Sequence, residues 1–149
     1  MDEFHTPVLL DEVIEALNVI AGKNYIYATL GGGGHAVENV KRGGQVLGID
    51  VDEEAIDHVK GEVRSRKLEV RSEDLILVRG NFKDLGSIAR AHEFDKVAGV
   101  LFDLGVSLHQ LKTRERGFSF QKDGPLDMRM DKTLTVKASD LVNGLYKYE

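Results

Sequence analysis

Four short apolar runs constrain this chain more than any other feature: Tyr25–Leu30, Gln45–Asp50, Leu75–Gly80 and Val97–Leu104. Runs this short and this continuously apolar are expected of strands buried on both faces, the condition of a parallel sheet sandwiched by helices. Helical patterns fall between them. Glu53–Lys67 carries Ile56, Val59 and Val63 at helical spacing, and Phe82–Glu93 carries Leu85, Ile88 and Ala89 in the same way. Strand and helix therefore alternate, which predicts an α/β fold with a doubly wound parallel sheet. Right-handed crossovers and the usual winding put its strands in the order 3-2-1-4. Ahead of the first strand, Thr6-Pro7 reads as a helix cap followed by proline at the first helical position. Val8, Leu9, Val13, Ile14 and Leu17 then share one face, predicting an amphipathic helix over residues 7–17.

The length of 149 residues suits one domain with a substantial core. With 42% apolar and 30% charged residues, the composition is that of a globular protein. No apolar run approaches the roughly 20 residues needed to span a bilayer. Met1-Asp2-Glu3-Phe4-His5 has neither the basic nor the apolar region of a secretory signal. The absence of cysteine excludes disulfides and thiolate metal sites. Together these features lead us to expect a cytoplasmic protein without a metal. The net charge of −5 does not itself suggest a nucleic-acid partner, but its distribution is uneven. Residues 112–137 hold seven Lys/Arg against four Asp/Glu on an otherwise acidic chain. A local basic stretch of this kind suits phosphate or, equally, a solvated loop. Residues 105–137 also lose both periodicities, and a long irregular segment is more often functional than accidental.

The chemistry-bearing motifs sit at the strand ends. Ala28-Thr29-Leu30-Gly31-Gly32-Gly33-Gly34-His35 follows the first strand and opens a helical stretch. Its glycines allow positive φ and close backbone approach, and helix-start amides attract polar or anionic groups. Gly31, Gly33 and Ala36 also satisfy the dinucleotide pattern, so the run leaves the choice of nucleoside cofactor open. Asp50 ends the second strand, 16 residues after Gly34, where a carboxylate accepts ribose hydroxyls; a cap for the next helix is the alternative. Asp52 and Glu53 suit that helix's dipole. After the third strand, Phe82 is either a surface for an adenine ring or a core residue, and Asn81 offers amide hydrogen bonds. Asp103-Leu104-Gly105-Val106-Ser107 ends the fourth run, where an acid is costly unless used or paired. Arg114–Met130 interleaves basic residues with Phe118 and Phe120, which suits an RNA strand or a loop folded back on the domain.

Taken together, His5–Leu10, Thr29–His35, Gly48-Ile49-Asp50, Asp103–Ser107 with Gln110, and Arg114–Met130 resemble the bacterial 16S ribosomal RNA cytosine N4-methyltransferases. The specific part is Arg116-Gly117-Phe118-Ser119-Phe120 followed by Gly124-Pro125-Leu126-Asp127-Met128-Arg129-Met130, and the resemblance runs from His5 to about Asn143. It implies a Rossmann-like fold that binds S-adenosyl-L-methionine and methylates the exocyclic amine of a cytosine in 16S ribosomal RNA, within the small ribosomal subunit. It also implies cofactor contacts at Gly33, Gly34, His35, Asp50, Phe82, Asp103 and Gln110. Direct attack by the amine needs alignment with the methyl group and an acceptor for its proton, for which Asp103 is the candidate catalytic residue.

The chain also departs from the pattern. Tyr27 stands where the family usually has aspartate, Leu108 replaces a second serine, and the stretch from His35 to Asp50 is shortened. Family members continue past the position of Glu149 with a helical insertion and further strands, so residues 1–149 correspond to the N-terminal part of the methyltransferase domain. On that basis Val97–Leu104 is expected to be an edge strand open to self-association, with weak cofactor binding and little turnover. The alternatives are a non-catalytic nucleoside- or RNA-binding remnant and, less well supported by Asp103–Met130, a nicotinamide-dependent oxidoreductase.

Overall fold

Asn24–Tyr27 (β1), Gln45–Asp50 (β2), Leu75–Arg79 (β3) and Val97–Leu101 (β4) form one parallel sheet in the order β3-β2-β1-β4, as the alternation predicts. The computed structural model describes residues 7–65, 70, 71 and 73–145. Register runs in step from Asn24↔Gln45 to Tyr27↔Gly48 and from Val46↔Leu75 to Asp50↔Arg79. Between β1 and β4 it shifts after Asn24.

The two central strands are buried on both faces, for the reason their composition suggests. Tyr25, Tyr27 and Val46 point to a cluster with Ala36, Val40, Ile56 and Val59, while Ile26, Leu47 and Ile49 point to one with Ala89 and Phe94. Each fully buried side chain of this size stabilises the fold by about 1.5–3 kcal/mol. The first cluster draws on Gly34–Lys41 (α2) and Glu53–Ser65 (α3). The second draws on Leu85–Ala91, here α4. Asp52 starts α3, its Oδ1 accepting the Glu54 amide at 3.1 Å, and Glu53 and Glu54 lie in the favourable first turn. The expected end of that helix at Lys67 lies outside the described residues.

Several boundaries differ from those expected of the sequence. The first helix, Leu10–Ala16 (α1), starts three residues late because Leu9 is left-handed at φ 52°. Thr6 lies outside the described residues. Val8 and Leu9 are consequently exposed, and Ile14 alone of the expected face is fully buried. The expected helix over Phe82–Glu93 opens as a 3-10 turn, Phe82–Asp84, because Asn81 Oδ1 accepts the Lys83 amide at 3.0 Å. β1 and β4 end at Tyr27 and Leu101 rather than Leu30 and Leu104, the chain beyond them forming the loops that carry the motifs.

The described residues up to Leu104 form one compact unit and those from Gly105 a second. The second contains Leu108–Lys112 (α5), which falls in the stretch without a sequence period, a 3-10 turn over Arg114–Arg116, and Ala138–Gly144 (α6). Its irregular part is held by defined bonds. Met128 N donates to Arg116 O at 3.0 Å, and Ala138 N and Ser139 N donate to Asp127 O and Leu126 O, both at 2.9 Å. Buried Arg116 donates from Nη2 to the carbonyls of Arg129 (3.1 Å) and Met130 (3.2 Å). Arg129 meets the Asp127 carboxylate through two bonds of 2.7 Å, holding that carboxyl down at about 2. Gly117 is obligatory here. Its φ is 73°, and a Cβ would lie 2.1 Å from Pro125 O and 2.8 Å from Asp127 N, backbone atoms that cannot yield. Gly117→Ala is therefore expected to cost about 2 kcal/mol or more, read as faster proteolytic cleavage between residues 105 and 145 with the earlier unit still protected.

Candidate functional site

The site is built where β1 and β2 end. Gly31 and Gly33 leave β1 with φ 53° and 76°. Around Gly31 an added Cβ would meet nothing within 4 Å, so its outer side is open. At Gly33 it would lie 2.5 Å from Val59 Cγ2 of α3, and at Gly34 2.7 Å from Pro7 Cγ. Glycine is thus required by inward packing at two positions and gives access at the third.

Asp50 locks this turn to β2. Its Oδ2 accepts the Gly31 amide and its Oδ1 the Asp52 amide, both at 2.9 Å. Each oxygen keeps a lone-pair direction for a further donor. Burial pushes the Asp50 carboxyl above the ordinary aspartate value, only partly opposed by those two amides. The helix-cap alternative is answered, since Asp52 and not Asp50 caps α3.

His35, buried in the first turn of α2, donates from Nε2 to the Val8 carbonyl at 3.0 Å and so fastens residues 7–9 beside the glycine turn. Phe82 is not a core residue. It is 43% exposed and meets Phe102, 49% exposed, edge to face with centroids 5.7 Å apart. Asp103 is exposed two residues past the end of β4, where water spares it the burial cost that the sequence argument invoked. Its amide donates to Thr29 Oγ1 at 2.7 Å.

Tyr27 turns inward. Its hydroxyl accepts from Asn39 Nδ2 at 3.0 Å, and burial pushes its pKa up to about 12, so it is a neutral core residue facing α2. The second unit holds Gln110. There it closes a capping box at the start of α5, with Gln110 Oε1 accepting the Ser107 amide at 3.0 Å and Ser107 Oγ accepting the Gln110 amide at 3.1 Å. The structure thus brings Gly31, Gly33, Gly34, His35 and Asp50 together around one turn, ties Asp103 to that turn through Thr29, and sets Phe82 against Phe102. Thr29 and Phe102 were missed from sequence. Thr29 lay unassigned inside the glycine motif, and Phe102 read as strand interior. Among the described residues no group of three or more His, Asp or Glu is placed to hold a metal ion, and no helix is long and apolar enough to cross a membrane.

A parallel 3-2-1-4 sheet with a glycine turn after β1 and an amide-held carboxylate ending β2 defines a Rossmann-like fold. The C-terminal domain of precorrin-6Y C5,15-methyltransferase from Rhodobacter capsulatus shares this fold, at TM-score 0.52 and 19% identity over 66% of this chain and 50% of that one. The MraW methylase family pattern matches residues 2–149, and the chain belongs to that family. It is 46% identical over 144 residues to ribosomal RNA small subunit methyltransferase H of Carboxydothermus hydrogenoformans, covering 96% of this chain and 45% of the relative. Against the protein of the same name from Desulfosudis oleivorans it is 45% identical over 142 residues, covering 93% and 44%. The chain spans somewhat less than half the length of these relatives.

His35→Ala should release residues 7–9 and lower stability by about 0.5–1.5 kcal/mol, the net worth of the hydrogen bond to the Val8 carbonyl, which water can then reach. Hydrogen exchange should quicken across α1 and the turn at Gly31–Gly34 while β3 stays protected.

Proposed function

We propose that this chain forms the S-adenosyl-L-methionine-binding part of a methyltransferase acting on the exocyclic N4 amine of a cytosine in 16S ribosomal RNA of the small ribosomal subunit, in the cytoplasm. The observation that carries the reading is the Asp50 carboxylate, held by the Gly31 amide beside an open glycine turn. A carboxylate so placed is oriented before any ligand arrives and accepts both hydroxyls of a ribose. The residues fit a nucleoside cofactor in three respects: the open side of Gly31, the free acceptor capacity of Asp50, and the exposed aromatic surface at Phe82.

The cofactor supplies an electrophilic methyl group on a sulfonium centre. Gly31 leaves the backbone open toward it, Gly33 and Gly34 seat the turn against Val59 and Pro7 so that their own backbone can face it, His35 positions the flank of the turn, and Phe82 offers its ring to the adenine. Asp103 accepts a hydrogen bond, and then the proton, from the target amine, and so raises the nitrogen's electron density toward the methyl carbon. Its backbone is steadied by Thr29. The names of the relatives support the RNA substrate.

Calorimetric titration should show S-adenosylmethionine binding and no NAD binding; the reverse would replace the methyltransferase reading by an oxidoreductase one. Asp50→Asn should weaken cofactor binding roughly 10- to 100-fold, the loss of hydrogen bonds to a charged acceptor. The pH dependence has a definite sign. A carboxyl raised on folding favours the folded state below the ordinary value of 3.8, and that contribution is lost as pH rises through the folded value. Ribose hydroxyls prefer the ionised form, so binding should weaken as pH falls through that raised value. In the Asn variant this acid limb should disappear.

We further propose that the chain self-associates through Val97–Leu104. β4 ends the sheet, and Val100 and Phe102 are half exposed along it. Sedimentation should show mass rising with concentration and Val100→Lys suppressing that rise; a monomer at all concentrations would refute the idea.

A further inference from the structure

Phe118 and Phe120, two residues apart in the basic stretch, have opposite environments. Phe118 is 8% exposed, with the buried Arg116 guanidinium 5.9 Å from its ring centre. It belongs to the packing of its unit. Phe120 is wholly exposed. A lone exposed ring would ordinarily carry no meaning, but this one stands on a braced loop. Gln121 N donates to Ser119 Oγ at 3.1 Å, turning the backbone around Phe120. At the foot, Arg114 Nε donates to Asp123 O and Lys122 Nζ donates to Lys112 O at 2.6 Å. Gly124 presses against the same strand of chain, where a Cβ would lie 2.3 Å from Arg114 O.

Those bonds do two things at once. They oppose collapse of the ring onto its own unit, and they hold two exposed cations, Arg114 and Lys122, at the foot of its loop. Residues 112–123 carry four Lys/Arg against two acids, Glu115 and Asp123, so cations are in the majority. An aromatic face with cations at its foot matches the repeating unit of single-stranded nucleic acid, a flat base joined to a phosphate. The immediate flanks of the ring, Ser119, Gln121 and Lys122, are polar, which disfavours a broad apolar protein contact.

We propose that Phe120 is a stacking platform for one base of a single-stranded RNA, with Arg114 and Lys122 meeting the adjoining phosphates. This rests on the ribosomal RNA reading above and deepens it, by naming the residue that takes an unpaired base and assigning Phe118 to packing.

The chain contains no tryptophan, so Phe120→Trp plants a single fluorescent reporter. The probe is a 12-nucleotide single-stranded RNA of mixed sequence, titrated at low salt into the 149-residue chain and its variants. We expect the Trp emission to be quenched on binding, and Phe120→Ala to bind the RNA about 5- to 100-fold more weakly, the range for losing one stacked base. Equal binding by the Ala variant, an unquenched Trp, or no RNA binding by the unmodified chain would each overturn the platform. Emission that blue-shifts with protein concentration in the absence of RNA would also overturn it, in favour of a protein contact. Titration with S-adenosylmethionine separates the two readings. Cofactor binding without RNA stacking defeats the platform alone, whereas failure of cofactor binding defeats the methyltransferase reading and leaves the quenching result to stand or fall by itself.

Discussion

Asp50 is the residue on which the site depends, because it bonds in three directions. Its side chain accepts the Gly31 amide leaving β1 and the Asp52 amide leading into α3, while its carbonyl accepts the Gly80 amide leaving β3. The exits of three neighbouring strands are thereby fixed relative to one carboxylate. Half-burying a carboxylate is costly, and its raised pKa reflects that cost. The two amides offset part of it.

The second unit is organised differently. Among its described residues there is no strand and no long helix, so its backbone polar groups find partners through isolated backbone bonds and through side chains. Arg116 supplies donors to the Arg129 and Met130 carbonyls, and Asp127 binds Arg129 while its own carbonyl receives Ala138. A segment built this way tolerates few substitutions at those positions, since removing a donor leaves buried carbonyls unpaired. This gives a physical account of why Arg116–Met130 is so distinctive a stretch: its residues are the hydrogen-bonding framework that periodic structure supplies elsewhere.

That contrast also explains what was legible in the sequence. The strands and their order were readable because Val46, Leu47 and Ile49 are buried by a sheet covered on both faces, and burial of that kind leaves a continuous apolar run. Asp50 and the glycine turn were readable because a strand end followed by positive φ demands particular residue types. The start of α1 was not, because Leu9 is left-handed although nothing in its identity asks for it; the bond from His35 to Val8 lies 27 residues away in sequence. Nor could composition separate Phe118 from Phe120, which differ only in tertiary surroundings. Gln110 was expected as a cofactor contact from resemblance, while its capping box with Ser107 is a local pattern that the sequence does contain.

Tyr27 stands where the family resemblance leads one to expect aspartate, and its side chain serves packing instead. It bonds Asn39 across the core, filling space between β1 and α2. What it cannot do is hold a cationic ligand group from that position. The acids near the turn are Asp50, bonded to Gly31, and Asp103, tied to it by the bond from its amide to Thr29, beside the bond from Ala28 N to Leu101 O. An edge strand is usually a poor place for a precise residue. Here the two residues just past β1 supply both bonds, so the backbone of Asp103 is tied to the exit of a central strand.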